Sequence, residues 1–433
     1  MENQSNQPEA QHPPSQGLRL DTIAEDVQHI IAAELVILSP PSILAMAQSS
    51  RTLRQIALPL VYQDVVLHRE DEAYEALVTL FRGGGEGSIA HHVRHLMVKD
   101  ELPTEDLIMI LDKISEFGVL RKLRLVVTNG KLNRVRDADV DSWETVAHMP
   151  PSVLDKLHNT WPDLELSVRV LGRRLAKNSG HRQMDEKLLS SSLLRSLTYD
   201  IIYPGYQADH SAIEWAKLTR AISVGGGLRV LRIRIQYGGE EPESDLQLEL
   251  PQDSHLPALK ELTLHGAHGF NWTDEHCRRL ASSVDMSTLH TLNFARGMPT
   301  PFLKAFTGRL PDLKTLRFEI GRNANAEITA DFIESVKGLE LLDIDGPISV
   351  MDTLWPAIVQ HRATLKSLCL RQNMAIGRLE EVVNSFPLMQ RLGWNVLYEV
   401  NESTIVAMNE THLRNLGSSR LSRAYVTHES RET

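Results

Sequence analysis

Three stretches gather residue types that can do chemistry. Arg82-Gly83-Gly84-Gly85-Glu86-Gly87-Ser88 is a glycine-rich loop of the kind whose backbone amides can cradle a phosphate. No Lys-Ser/Thr step follows it, and no strand–loop–helix order surrounds it, so the stretch reads as a flexible connector. His91-His92-Val93-Arg94-His95 offers three imidazoles for a metal. A metal set also needs Cys, Asp or Glu at matching spacing, which is missing here, so these read as solvated histidines at a strand start. Asp274-Glu275-His276-Cys277 sets carboxylates, an imidazole and a thiol side by side. Consecutive helical residues point in different directions, so this is a helix start with an acidic first turn. A G-x-S-x-G elbow, a Walker loop, an H-E-x-x-H pair and a kinase set are all missing. The expectation is a protein that is not an enzyme and has no catalytic residues, cofactor or metal.

Composition narrows the class further. The chain has 433 residues, enough for one large solenoid or two to three ordinary domains. Its formal charge of −10 argues against general nucleic-acid binding, which needs a cationic surface. The only two cysteines, Cys277 and Cys369, form no CxxC pair and fit a reducing compartment. The most apolar N-terminal stretch, Ile30–Leu38, carries Glu34 and is too short to span a membrane. No secretory signal opens the chain, so the sequons at Asn271 and Asn409 read as chance. A soluble protein of the cytoplasm or nucleus is expected, with no membrane and no nucleic acid among its partners.

The elements that organise the chain come from one recurring phrase: apolar, two others, apolar, one other, apolar. Its cleanest copy is Leu259-Lys260-Glu261-Leu262-Thr263-Leu264. Leu262 and Leu264 alternate, which puts both side chains on one face of a short strand. Earlier copies begin at Val93, Leu120, Leu194 and Leu228, with a weaker one at Trp161. Later copies begin at Leu289, Leu313, Leu339, Leu365 and Met389, with a frayed one at Leu413. From Leu194 the first positions lie 34, 31, 30, 24, 26, 26, 24 and 24 residues apart, by subtraction of residue numbers. Such a period marks a solenoid, in which each unit buries its apolar face against its neighbours.

Apolar residues at helical spacing fill the intervals: Leu218/Ile222, Leu280/Val284, Phe302/Phe306, Phe332/Ile333/Val336, Leu354/Ile358 and Val382/Phe386. Each unit therefore reads strand, turn, helix, turn. The expected fold class is α/β, a leucine-rich-repeat-like solenoid with a parallel sheet inside and helices outside. Polar segments at 129–141, 169–187 and 321–327, and an acidic one at 237–256, read as loops inserted between repeats.

The N-terminal part differs. Residues 1–17 are polar and expected to be a disordered tail. In 18–67, Ile23, Val27, Ile30, Ile31, Leu35 and Leu38 fall at helical spacing. Ser39-Pro40-Pro41-Ser42 ends that helix, and two shorter apolar helices follow before Pro59 disturbs the last. The solenoid is expected over 68–421 and a second disordered tail over 422–433.

The stretch Leu38-Ser39-Pro40-Pro41-Ser42-Ile43-Leu44-Ala45-Met46, then Ser50-Arg51 and Pro59-Leu60-Val61-Tyr62, resembles the F-box motif of fungal F-box proteins. The usual Leu-Pro opening of that family is replaced by Asp26-Val27. The resemblance implies a three-helix box that docks on the Skp adaptor of a cullin–RING ubiquitin ligase, with repeats that hold the protein to be ubiquitylated. The adaptor-binding residues would be Ile30, Ile31, Leu35, Leu38, Pro40, Ile43, Leu44 and Met46. From the residues alone, an exposed apolar helical patch is a liability unless a partner covers it. The alternative is a leucine-rich-repeat interaction scaffold with no ubiquitin role, whose helical N-terminus caps the first repeat.

Strand alternation maps the open, concave wall of the solenoid. If Leu231/Ile233, Leu262/Leu264 and their equivalents face the core, the residues between them face outward. That wall would carry Arg232, Arg234, Glu261, Thr263, His265, Asn293, Arg317, Glu319, Asp343, Asp345 and Arg371, basic at one end and acidic toward the other. Solenoids bind partners on such extended surfaces, so these are the candidate contacts for an unknown protein substrate.

Overall fold

The computed structural model describes residues 20–83, 88–99, 102–128, 149–174, 185–203, 215–237, 255–266, 272–294, 300–320, 325–373, 382, 385–395 and 423–427. The acidic segment 238–254, most of the glycine loop and the frayed phrase at Leu413 lie outside the described residues. The chain divides into two compact units. One draws on residues up to Leu96 together with Glu105–Leu120, and the other on Met97–Thr104 and residues from Arg121 onward.

The first unit opens with three helices: α1 (Glu25–Leu38), α2 (Pro40–Ser49) and α3 (Arg51–Val61). Their boundaries follow local chemistry. Pro40 occupies the first turn of α2, where its missing N–H is no loss. Ser50 starts α3 by accepting the Leu53 backbone N–H at 3.2 Å. Pro59 lies inside α3, which continues past it to Val61, so the expected disturbance is absorbed within the last turn. The three helices bury a core of their own from Ala32, Ile43, Met46, Leu53, Ile56 and Ala57. After them come β1 (Asp64–His68), α4 (Tyr74–Arg82), β2 (His95–Lys99) and α5 (Thr104–Phe117). Asp106 of α5 ties α4 in place, accepting from the Tyr74 hydroxyl and from Arg82, each at 2.9 Å. This unit thus includes α4 and nearly all of α5, which the sequence assigns to the solenoid, while β2 is divided between the two units.

The second unit is a parallel sheet whose strands follow one another in sequence order from β3 to β13. The strands are β3 (Lys122–Thr128), β4 (Glu165–Arg174), β5 (Leu194–Tyr203), β6 (Val230–Tyr237), β7 (Glu261–Gly266) and β8 (Thr291–Phe294). They continue with β9 (Thr315–Glu319), β10 (Leu341–Asp345), β11 (Ser367–Asn373), β12 (Arg391–Asn395) and β13 (Arg423–Thr427). Register puts equivalent leucines opposite one another. Leu231 pairs with Leu262, Leu262 with Leu292, Leu292 with Leu316, Leu316 with Leu342 and Leu342 with Leu368. A parallel column runs Ile233, Leu264, Phe294, Phe318, Ile344, Leu370. Every residue of both columns is buried. Each large side chain so buried contributes about 1.5–3 kcal/mol, so the columns form the spine of the unit.

Helices cover that face: α6 (Pro151–Thr160), α7 (Glu186–Leu189), α8 (Trp215–Gly225), α9 (Asp274–Ser283), α10 (Thr300–Phe306), α11 (Ala326–Ser335) and α12 (Ile348–Gln360). The contact is visible where Phe294 of β8 meets Phe302 of α10 edge-on at 4.8 Å between ring centres, with Trp272 5.5 Å from Phe294. Successive units are also stitched at their turns. Thr288 and Thr364 donate their hydroxyls to the carbonyls of Leu259 and Leu339, at 3.1 and 2.7 Å. Arg229 reaches the Ala258 carbonyl in the same way, at 3.1 Å.

Two boundaries differ from expectation. Strand β4 runs on through Arg169–Arg174, although those residues read as part of a polar loop. Arg169 and Val170 have parallel partners in both β3 and β5, and Arg173 and Arg174 have them in β5, so side-chain polarity does not end the strand. Within the expected tail 422–433, Arg423–Thr427 forms β13, which pairs in parallel with β12. It lacks the leucine phrase and is held by backbone pairing.

Candidate binding surfaces

The open face of the sheet carries the residues between the buried columns. In β6, Arg232 is half-buried and Arg234 exposed; in β7, Glu261, Thr263 and His265 are half-buried. Asn293 of β8, Glu319 of β9 and Asp343 and Asp345 of β10 are half-buried too, and Arg317 of β9 is exposed. The parallel register draws a row from Arg232 through Thr263, Asn293 and Arg317 to Asp343. Asp345 stands beside Glu319 in the next row. Ten of the sequence-predicted wall residues therefore share this face, while Arg371 lies in β11 with its side chain outside the described residues.

Charge on this face is less simple than the sequence suggests. The Arg232 guanidinium donates to both carboxylate oxygens of Glu261, at 2.5 and 2.7 Å. That bidentate fork raises the Arg232 pKa above its ordinary value, and the hydrogen bond outweighs partial burial. The basic end of the row is thus neutralised in part by its neighbour strand. Arg317 stands next to Asp343 in register, so opposite charges are neighbours again three strands on.

The three-helix part offers a different surface. The core side of α1 is made by Gln28 and Ala32, with Ile31 and Leu35 half-buried. Small Ala32 admits the neighbouring helices closely, and the Gln28 side-chain amide donates to the carbonyls of Ile23 and Leu20 at 2.7 and 3.2 Å. The larger residues face outward. Ile30 is 62% exposed, Leu38 76% and, on α2, Leu44 48%; Pro40 is exposed as well. Val27 and Ile37 join them at 39% and 76%, though neither is among the contacts that the motif resemblance implies. Val27, Ile30, Glu34 and Ile37 are spaced three, four and three apart, the signature of one helix face. Ile43 and Met46, expected on the docking surface, are instead buried in the three-helix core. Their spacing of three puts both on the inner side of α2, and Leu44 between them turns outward.

The clusters that drew chemical attention do not converge. Glu275 is exposed and held by Arg278 and Arg279, at 2.6 and 2.9 Å, and those contacts keep its carboxyl below the usual range. His276 and Cys277 point into the core, where burial pushes the Cys277 thiol up to about 12 and lowers the His276 imidazole. A thiol so held is not nucleophilic. His91 stacks near Phe117 at 4.6 Å, while His95 meets Asp64 at 2.6 Å. No group of three or more metal-ligating side chains occurs among the described residues. No described helix is long and apolar enough to cross a membrane.

No protein-family model matches the chain, and no curated protein matches it. Among solved structures it is similar to a chain in the crystal structure of the Rad7 and Elc1 complex in yeast. The two share 14% identity over 94% of this chain and 91% of that one, with a TM-score of 0.42. That likeness is too slight to carry function; the repeat fold rests on the strand register described above.

Proposed function

We propose that this chain is a non-catalytic substrate-recognition subunit of an SCF-type ubiquitin ligase, with its three-helix part docking on the Skp adaptor. Through that adaptor it joins a cullin–RING ligase in the cytoplasm or nucleus, and the open sheet face holds a target protein. The observation that carries the reading is the outward stripe of Val27, Ile30, Ile37 and Leu38, with Leu44 beside α1 in sequence. Large apolar residues placed outside a core that is already complete call for a covering partner. The F-box-like sequence that encloses them supplies the partner's identity. Ile30, Leu38, Pro40 and Leu44 form the docking surface, Ile31 and Leu35 sit at its margin, and Ile43 and Met46 support it from the core.

The test is co-purification of the full chain with the Skp adaptor. Wild type binds, and a Leu38→Glu, Leu44→Glu double variant loses roughly a hundredfold or more, since each buried leucine is worth about 1.5–3 kcal/mol. Circular dichroism of that variant stays unchanged, because both positions are exposed. A folded wild type that ignores the adaptor leaves the scaffold with no ubiquitin role as the answer. Ile43→Glu is unsuitable for this purpose, because it buries a charge in the core and unfolds the helices.

A further inference from the structure

The leading edge of the sheet carries a charge pattern distinct from the open face. Each leucine phrase places one residue directly after its first leucine: Arg229, Lys260, His290, Lys314, Glu340 and Lys366 in successive units. Backbone hydrogen bonds lock these six into one column. The Lys260 N–H donates to the Arg229 carbonyl at 2.7 Å, His290 to Lys260 at 2.8 Å and Lys314 to His290 at 2.9 Å. Glu340 donates to Lys314 and Lys366 to Glu340, each at 2.8 Å. Arg229, Lys260 and Lys314 are exposed, and His290 and Lys366 half-buried. The one carboxylate, Glu340, is spanned by Lys366 at 2.6 Å and Lys314 at 3.6 Å, and those ammonium groups hold it below the usual carboxylate range. Counting Arg229, Lys260, Lys314 and Lys366 against Glu340, the column keeps three net positive charges (4 − 1) in a protein whose net charge is −10.

We infer that this column is a docking rail for an extended, acidic peptide segment of a partner protein, lying across the strands at their N-terminal edge. Adjacent strands are about 4.8 Å apart, so the column from Arg229 to Lys366 spans about 24 Å. An extended peptide rises about 3.3 Å per residue, so seven or eight residues run its length and direct every second side chain at the rail. The Lys260 and Lys314 stems are long and exposed, which lets their ammonium groups follow carboxylates whose spacing differs slightly from that of the strands. Nucleic acid fits less well. The column carries no Phe, Tyr or Trp on which bases would stack. The rail needs neither the three-helix part nor the open-face residues, so it stands or falls separately from the proposed function.

Fluorescence anisotropy of the full chain with a labelled poly-glutamate peptide tests this. Wild type binds at low salt and releases the peptide as salt rises. Lys260→Glu weakens binding about fivefold and the Arg229→Glu, Lys260→Glu pair about twenty-five-fold, each exposed charge contact being worth about a factor of five at most. Lys304→Glu on α10, the same charge change on the helical layer, leaves binding unaltered. Three results overturn the rail: no binding by folded wild type, equal loss with Lys304→Glu, or tighter binding of a single-stranded oligonucleotide of equal charge.

Discussion

His361 and His276 are imidazoles held away from water, and that fixes how the protein responds to acid. The His361 Nε2 meets the Ile333 carbonyl at 2.9 Å, joining the end of α12 to α11. Desolvation lowers its pKa below the ordinary 6.5, against a smaller opposing effect of that hydrogen bond. His276 is lowered by burial and by Arg279, and its Nε2 has no partner among the described residues. Between each folded pKa and 6.5 the unfolded chain binds a proton that the folded chain refuses. Stability is therefore full above 6.5 and declines as pH falls toward the folded values. Thermal unfolding followed from pH 7.5 to 5 shows Tm falling, and His361→Gln, whose amide can still donate to the Ile333 carbonyl, flattens that fall. An unchanged slope in the variant excludes His361 as a source. On the open face, a double-mutant cycle on Arg232 and Glu261 gives a coupling of about 1 kcal/mol or less at low salt, because both side chains are partly wet.

Strands and helices respond to substitution according to which column a residue occupies. Leu342→Ala removes a buried leucine from the middle of the inner column and costs about 2–5 kcal/mol. Thr315→Ala, at the leading end of β9 on the other face, changes stability by less than about 0.5 kcal/mol. In a repeat array the damage stays local, so hydrogen exchange after Leu342→Ala accelerates in β9, β10 and β11 before it does in β5 or β6. The columns were legible in the sequence because alternation within a strand and a near-constant period between strands are independent signals, and Leu262/Leu264 or Leu316/Phe318 satisfy both. Arg169–Arg174 and Arg423–Thr427 satisfy only the weaker condition of having a neighbour to pair with, which no local pattern displays. The outward stripe of α1 was hidden for another reason. Leu35-Val36-Ile37-Leu38 is apolar all round the helix, so periodicity shows a helix without telling which side packs. Ile43 and Met46 share their place in the motif with Leu44, and only the packing of α2 separates them from it.

Taken as a whole, the chain joins two kinds of work. The three-helix part completes a small core and still leaves apolar surface outside, whereas the repeats spend their leucines on each other and present polar rows outward. Under the proposed function, attachment and target recognition fall to different residues, which can be altered one at a time. Hydrogen exchange with mass spectrometry, run on the full chain with and without the Skp adaptor, tests this division most directly. Exchange is expected to slow over residues 27–44 and to stay unchanged across β5 to β12. No protection at 27–44 under saturating adaptor, or protection centred on the strands of the repeats, would contradict it.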